Sequence, residues 1–263
     1  MVENTLDKII NKKTKKINQL KKIISIESLK EKIQENNKFA NFKKKIEINI
    51  ANNKISIIAE IKKSSPSAGI IVKDYNPVDI AKKYYKNKAT CLSVLTEEDF
   101  FKGNLIHMHK IKQKIKLPIL CKDFFIDPFQ IHLAKSYGAD AILIILAGVT
   151  DKIANQLYEN ALKLNMSVVI EVHTKEEAKN SIKFKDALIG INNRNLKTLE
   201  TDMNTTYNIH DILTVHKGPL ISESGIKTKE DLLEITKKTK IKTFLIGESL
   251  LKNLDKNSIF SVL

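Results

Sequence analysis

The chain has 263 residues, of which 42% are apolar, so a packed core in one large domain is well within reach. No stretch approaches the ~20 apolar residues that a membrane-spanning helix needs, and residues 1–16 lack the apolar centre of a secretory signal. The net charge of +15 comes from 44 lysines and one arginine, Arg194, a composition more typical of solvated lysine faces than of a nucleic-acid surface, although it also suits an anionic substrate.

Residues 1–50 form a basic, amphipathic segment. Apolar residues such as Leu6, Ile9, Ile17 and Leu20 recur at helical spacing among lysines. This spacing predicts two helices packed on the main body, and the alternative is a disordered basic tail.

From residue 57 onward, short apolar runs alternate with helix signals. The runs cover residues 57–61, 89–96, 118–122, 141–146, 167–172, 187–192, 219–224 and 243–247. Asn76 and Asp127 each precede a proline, which is the usual order at a helix start. The sequences "TKEE" (174–177) and "TKED" (228–231) resemble capping boxes.

Eight strand–helix units in about 200 residues predict a closed (β/α)8 barrel, because parallel strands need a crossover between them. We expect one domain over 1–263, with 1–50 as a helical N-terminal extension. An open doubly wound sheet is the alternative, but the turn after the first run, "KKSSPSAG", lacks the glycine pattern of a dinucleotide site.

The apolar runs end in polar or charged side chains. In a barrel of this type catalytic groups lie at the C-terminal ends of the strands, so these side chains are predicted to converge at one mouth. They are Glu60, Lys62, Lys122, Glu171, Asn192 and Glu223. Lysines and glutamates within reach of one another perturb each other's pKa values and can serve as acids and bases.

The last two runs carry a possible phosphate site, since barrels of this kind often bind phosphate with the loops after strands seven and eight. Gly225 and Gly247 would let backbone N–H groups approach an anion, and Ser224 and Ser249 would add hydroxyls. Plain turn glycines are the alternative. His173 is interpreted as structural, on the opposite face of its strand from Glu171. Cys91 and Cys121 lie in apolar runs without metal-ligand spacing, which favours buried thiols in a cytoplasmic protein.

The chain resembles the indole-3-glycerol phosphate synthase family over nearly its whole length. The resemblance is carried by "IIAEIKKSSPSAGII", "SVLTEEDFFKG", "PILCKDFFID", "VIEVHT", "GINNRNLKTLE", "ISESGI" and "FLIGESLL". It implies a (β/α)8 barrel with a helical extension over its top. The implied reaction converts 1-(2-carboxyphenylamino)-1-deoxyribulose 5-phosphate to indole-3-glycerol phosphate, CO2 and water, with no cofactor and no metal.

The resemblance also implies a role for each site residue. Lys122 is the general acid of ring closure and Glu171 its partner, while Lys62 contacts substrate anions and serves with Glu60 in dehydration. Asn192 hydrogen-bonds the reacting centre and Glu223 supports the network. The implied binding residues are Ser65 and Arg194 for the carboxylate, and Ser224, Gly225, Gly247 and the backbone of Glu248 for the phosphate. The resemblance leaves open which lysine protonates at which step.

Two alternatives to this function remain at this stage. One is another phosphate-binding barrel such as phosphoribosylanthranilate isomerase, which would not need two lysines with three glutamates. The other is a non-enzymatic basic binding protein. We expect a monomer that acts on a small anionic molecule and binds neither nucleic acid nor membrane.

Overall fold

Eight parallel strands close into a barrel in the computed structural model, which describes residues 4–35, 39–254 and 258–263. The strands are β1 (Ser56–Ile61), β2 (Cys91–Leu95), β3 (Ile119–Lys122), β4 (Ala141–Ile145), β5 (Ser167–Val172), β6 (Leu188–Asn192), β7 (Leu220–Glu223) and β8 (Thr243–Ile246). Each strand pairs with the next along the chain, and β8 pairs with β1. Each predicted apolar run overlaps one strand, so the barrel is confirmed and the open sheet is wrong.

The helices follow the predicted alternation. They are α1 (Thr5–Ile23), α2 (Ile26–Glu35), α3 (Phe42–Ala51), α4 (Pro77–Lys86), α5 (Leu105–Lys114), α6 (Phe129–Ser136), α7 (Asp151–Lys163), α8 (Lys175–Ser181), α9 (Asn204–His210), α10 (Lys229–Thr239) and α11 (Glu248–Lys252). Short 3-10 turns cover Leu146–Gly148, Asp211–Val215 and Ser258–Val262, and a hairpin pairs Ser64–Ser65 with Gly69–Ile70.

Side-chain caps begin α4, α8 and α10 where the sequence predicts them, but α6 follows Pro128 without a side-chain cap, and Glu177 on α8 accepts from the N–H of His173 instead of completing a capping box. Asn76 Oδ1 accepts a hydrogen bond from the backbone N–H of Val78 at the start of α4. Thr228 and Asp231 form a complete capping box at the start of α10. Such caps satisfy N–H groups that have no partner within the helix.

The barrel has an inner and an outer apolar core. Alternate strand residues such as Ile58, Leu143 and Val169 fill the interior. The residues between them, such as Ile57 and Ile170, pack against the surrounding helices. This division follows from the period of two along each strand.

In the part of the N-terminal extension that the structure describes, there are three helices rather than the predicted two. Ser25 Oγ accepts from the N–H of Ser28, which starts α2 directly after α1. Asn41 Oδ1 accepts from the N–H of Lys44 and starts α3. The isoleucine spacing alone did not reveal these breaks.

Helix α3 closes the N-terminal end of the barrel. Phe42 and Ile46 are fully buried and join the inner core. The N–H of Lys43 donates to Ser167 Oγ, at the first residue of β5. The expectation that the extension lies over the top of the barrel therefore holds only for part of it.

Helix α1 lies at the opposite mouth, where Leu6 and Ile9 pack on the inner core. Lys13 forms a buried ion pair with Asp123, 2.6 Å apart, and Thr96 Oγ1 donates to the same carboxylate. Further α1 lysines pair with acids in the loops after β2 and β3, namely Lys12 with Asp99, Lys16 with Glu98 and Lys21 with Asp127. Across the described residues, no helix combines the length and apolar character needed to cross a bilayer.

Candidate active site

A cavity of about 570 Å³ opens at the C-terminal ends of the strands, within the size range of small-molecule sites. Every site residue predicted from the sequence lines it. These residues are Glu60, Lys62, Ser65, Lys122, Glu171, Asn192, Arg194, Glu223, Ser224, Gly225, Gly247 and Glu248. Segments up to 188 residues apart in the chain thus share one wall, as the barrel topology requires.

The centre of the site is a lysine held between two carboxylates. Lys122 Nζ lies 2.9 Å from Glu171 Oε2 and 2.6 Å from Glu223 Oε2. The three residues come from β3, β5 and β7, whose inward side chains form one layer of a barrel. Both carboxylates are almost fully buried, Glu171 with 2% and Glu223 with 1% of its surface exposed.

The charges of these three groups are strongly coupled. Burial opposes the charge of Lys122, but Glu171, Glu223 and Glu60 outweigh burial and raise its pKa. Burial also opposes the charge of Glu171, yet Lys122 and His173 hold its pKa well below the ordinary range. For Glu223, burial and the nearby Glu171 carboxylate prevail, and its pKa rises to about 7. At neutral pH the site therefore holds a charged lysine, one ionised glutamate and one glutamate near its midpoint.

Glu223 owes its position to a glycine on the neighbouring strand. A Cβ at Gly190 would lie 2.1 Å from Glu223 Oε1, so only glycine leaves room for the carboxylate. That oxygen is buried and has no hydrogen-bond partner among the described residues. It faces the backbone of β6 at Gly190.

Asn192 links the carboxylates to the loop after β7. Its Nδ2 donates to Glu171 Oε1 at 3.0 Å, and its Oδ1 accepts from Ser224 Oγ at 2.8 Å. The backbone N–H of Arg194 donates to the same Oδ1. These contacts fix the amide orientation, because the acceptor oxygen faces two donors.

Glu60 and Lys62 form a second acid–base pair, with Nζ and Oε1 2.5 Å apart. Their positions two residues apart on β1 and just beyond its end put them on one side of the strand, as the sequence predicts. A Cβ at Gly247 would lie 2.4 Å from Glu60 Oε1 and 3.1 Å from Lys62 Nζ. The lysine therefore lies directly over the loop after β8.

The loops after β7 and β8 line one side of the cavity, where the sequence predicts a phosphate site. Ser224 and Gly225 both have positive φ, 65° and 83°. A Cβ at Gly225 would also lie 2.5 Å from Met203 Sδ, so this turn requires glycine. Ser249 also lines the cavity, and its hydroxyl donates to the carbonyl of Ile226.

Arg194 and Glu248 occupy the rim. Arg194 Nη1 donates to the carbonyl of Leu199, and its Nη2 lies 4.0 Å from Glu248 Oε2. Glu248 Oε1 accepts from Lys252 Nζ at 2.6 Å. The Glu248 carboxylate is thus bound by cations at the rim, which limits its repulsion of an incoming anion.

An apolar wall faces the charged side of the cavity. It includes Leu6 and Ile9 from α1, together with Phe101, Phe124 and Leu196. Ser65 lies between the two sides, where its Oγ accepts from the N–H of Ala68. The sequence did not single out Leu6, Ile9, Phe124 or Leu196 as residues of a pocket wall. The helical spacing of Leu6 and Ile9 shows a packed face but not what that face covers.

His173 corrects one sequence interpretation. We expected it on the opposite face from Glu171, but its Nε2 lies 3.2 Å from Glu171 Oε1. Residues two apart share a side of a strand, so the spacing itself was the signal. Its other nitrogen, Nδ1, lies 3.3 Å from Glu177 Oε2 on α8. Within the residues that the structure describes, no three His, Cys, Asp or Glu side chains are grouped to hold a metal ion.

Comparison with known proteins identifies the family. The sequence model of indole-3-glycerol phosphate synthase matches residues 6–262. The chain is 39% identical to the indole-3-glycerol phosphate synthase of Alkaliphilus metalliredigens, over 94% of this chain and 93% of that protein. It is 36% identical to the indole-3-glycerol phosphate synthase of Polynucleobacter asymbioticus, over 100% of this chain and 99% of that protein.

Solved structures agree on the fold. The tryptophan synthase alpha subunit of Legionella pneumophila matches with a TM-score of 0.57 at 14% identity, over 84% of this chain and 93% of that one. Phosphoribosylanthranilate isomerase of Thermotoga maritima matches with a TM-score of 0.52 at 8% identity, over 78% and 94%. At these identities the likeness extends to the barrel alone.

A closed barrel whose strand ends bring acid–base pairs into one cavity defines a (β/α)8-barrel enzyme. Matches over nearly the whole chain narrow this class. The chain belongs to the indole-3-glycerol phosphate synthase family, and its activity is the decarboxylating lyase reaction of that family in tryptophan biosynthesis. The isomerase and the non-enzymatic binding protein are therefore wrong.

Proposed function

We propose that Lys122 is the general acid that closes the indole ring and that Glu171 holds it in place. The observation that supports this assignment is the Lys122 ammonium bound between two buried carboxylates in the wall of the cavity. An ammonium has three N–H donors. Glu171 and Glu223 engage two of them among the described residues, which leaves one for the substrate ketone.

Ring closure forms a bond between the aromatic carbon that carries the carboxylate and the ketone carbon. The carbonyl π electrons move to oxygen, which takes a proton from Lys122 Nζ. The raised pKa of Lys122 keeps the amine protonated before reaction, and the developing alkoxide is a stronger base than the amine. CO2 then leaves, and its bonding electrons restore the aromatic ring.

Dehydration follows at the second pair. Lys62 Nζ donates a proton to the departing hydroxyl, and Glu60 accepts one from the adjacent ring carbon, so that water leaves and the indole double bond forms. The 2.5 Å contact between Glu60 and Lys62 supports this division of roles, because an acid and a base are already in reach of one another.

The substrate's two anionic groups fit opposite parts of the cavity. We assign the phosphate to Ser224, Gly225, Gly247 and the backbone of Glu248, with Lys62 directly above. We assign the carboxylate to the side of Ser65 and Arg194, and the aromatic ring to the apolar wall with Phe101 and Leu6. Asn192 contacts the reacting centre while it orients Glu171.

We also propose that the protein acts as a monomeric single domain in the cytoplasm, without nucleic acid. The cavity supports the first point, since all of its predicted groups come from one chain. The two buried thiols, Cys91 and Cys121, suit a reducing compartment. Light scattering during size-exclusion chromatography measures the mass in solution, and a dimer would contradict the proposal.

Lys122→Ala tests the catalytic assignment. Loss of a general acid typically lowers the rate by about 10²–10⁴-fold, so we expect kcat to fall at least that far while circular dichroism stays unchanged. The assay follows indole fluorescence with the carboxyphenylamino substrate. Lys114→Ala, at an exposed position at the end of α5, is the control and should retain activity. A folded Lys122→Ala variant with near-normal turnover would exclude Lys122 as the acid.

A further inference from the structure

The two carboxylates that contact Lys122 have unequal surroundings. Glu171 Oε1 has Asn192 Nδ2 at 3.0 Å and His173 Nε2 at 3.2 Å. Glu223 Oε1 is buried with no such partner among the described residues. Since both carboxylates contact the same lysine, the surroundings of these second oxygens are a clear difference between them.

The imidazole of His173 is fixed from both sides. Nδ1 lies 3.3 Å from Glu177 Oε2, and the same oxygen accepts from the backbone N–H of His173 at 2.8 Å. Glu177 is itself set by the first turn of α8, where its N–H donates to Thr174 Oγ1. Only 9% of the His173 side chain is exposed. The ring therefore has one orientation, determined by the start of α8.

This geometry favours a charged imidazole. A neutral imidazole has a single N–H, so its other nitrogen would direct a lone pair at one of the two carboxylates. Imidazolium instead places positive charge beside both carboxylates, although the 3.2 Å contact of Nε2 with Glu171 Oε1 lacks hydrogen-bond geometry among the described residues. The pKa agrees in direction, because burial lowers it but Glu171 and Glu177 outweigh burial and raise it to about 9.

We propose that His173, held by Glu177, is a positioning residue that keeps Glu171 ionised, so that Glu223 is the first of the two carboxylates to take up a proton. The inference rests on the proposed function, in which Glu171 orients the acid Lys122. His173 supplies the second positive charge that a lysine with two carboxylates lacks. This charge gives Glu171 and Glu223 different pKa values, whereas Lys122 alone would affect both in nearly the same way.

The charged groups that face His173 define its expected titration. They are Glu171 at the end of β5 and Glu177 on α8, and Lys122 lies beyond the other oxygen of Glu171. Both neighbours of the ring are anions, so loss of either one lowers the pH at which the ring loses its proton.

His173→Gln is the first test, with the Lys122→Ala assay as reference. Without the His173 imidazolium, the acidic limb of kcat/KM should move up by about one pH unit or more, since a charge within ~4–6 Å shifts the pKa of a carboxyl group by that much. We expect kcat to fall about tenfold or more, as misplaced catalytic groups do, with KM changed less than threefold or so. His210→Gln on α9 is the control, because His210 also lies beside a carboxylate. It should leave the acidic limb of kcat/KM and kcat unchanged.

Glu177→Gln is the second test and keeps the histidine in place. In the wild type the His173 ring should lose its proton near pH ~9, as followed by NMR of the imidazole, and this midpoint should move down by about one unit in the variant. Glu176→Gln, at the neighbouring exposed position on α8, should not move it. Glu177→Gln tests the role of the charged His173 even if His173→Gln does not fold.

An unchanged acidic limb in His173→Gln and an unchanged imidazole midpoint in Glu177→Gln, with Lys122→Ala inactive, would overturn this inference alone. Turnover by a folded Lys122→Ala variant would instead overturn the proposed function on which it rests.

Discussion

Gly190→Ala would test whether the position of Glu223 controls catalysis. The added methyl group would lie 2.1 Å from Glu223 Oε1 and 3.1 Å from its Cδ. Real Cβ contacts essentially never fall below ~3.0 Å, so the carboxylate must withdraw by about 0.9 Å. That displacement would break or lengthen the 2.6 Å contact between Glu223 and Lys122.

The expected loss is catalytic rather than structural. A misplacement of about 1 Å can cost on the order of 10²-fold in rate, so we expect kcat to fall about 10- to 100-fold. Gly190 has no positive φ, so alanine adds no backbone strain. A glycine-to-alanine change of that kind stabilises by about 0.4–1 kcal/mol through the unfolded chain, which offsets part of the cost of the clash.

Steady-state kinetics by indole fluorescence and thermal unfolding by circular dichroism would be measured on the same preparation. Gly148→Ala is the matched control, because its Cβ would meet nothing closer than 3.5 Å, at Ile10 Cδ1. Wild-type kcat in Gly190→Ala would refute the reasoning, since it would show that Glu223 can move without consequence.

Two further predictions concern stability. Burial is the main cause that raises the pKa of Glu223 in the folded protein to about 7. Its ionisation therefore lowers the free energy of unfolding progressively between pH ~4.5 and pH ~7, and the full loss is reached above pH ~7. Glu223→Gln should therefore raise the free energy of unfolding at pH 8 by on the order of 1–3 kcal/mol while lowering kcat; equal stability at pH 8 would contradict this. Lys13→Met should lower the free energy of unfolding by about 3–5 kcal/mol, because Asp123 is left buried without its cation. Lys12→Met, on the exposed side of the same helix, should cost under ~1 kcal/mol, and equal losses in urea titrations would contradict the role of burial.

The strands and the charged pairs were predictable because local rules determine them. Alternation along β1 puts Glu60 and Lys62 on one side whatever surrounds them. The apolar run before Lys122 ends where the barrel ends, so its side chain had to reach the mouth. Closed topology then brings distant strand ends together without any further information from the sequence.

Other contacts depend on packing that no local pattern encodes. The pairing of Lys13 with Asp123 joins residues 110 positions apart, and nothing near either one distinguishes it from the other lysines of α1. The packing of Phe42 and Ile46 from α3 into the N-terminal end of the barrel likewise depends on the shape of that end. His173 is a different case, since its spacing from Glu171 was sufficient and was interpreted wrongly.

The extension at the two ends of the barrel also constrains the order of assembly during translation. α1 and α3 leave the ribosome before any strand, yet α3 binds Ser167 and α1 binds Asp123, which are made much later. Neither helix has a docking surface until roughly the first half of the chain or more has emerged. Both helices therefore remain undocked amphipathic segments during this time. They can cover the two ends of the barrel only after the strands between them have paired.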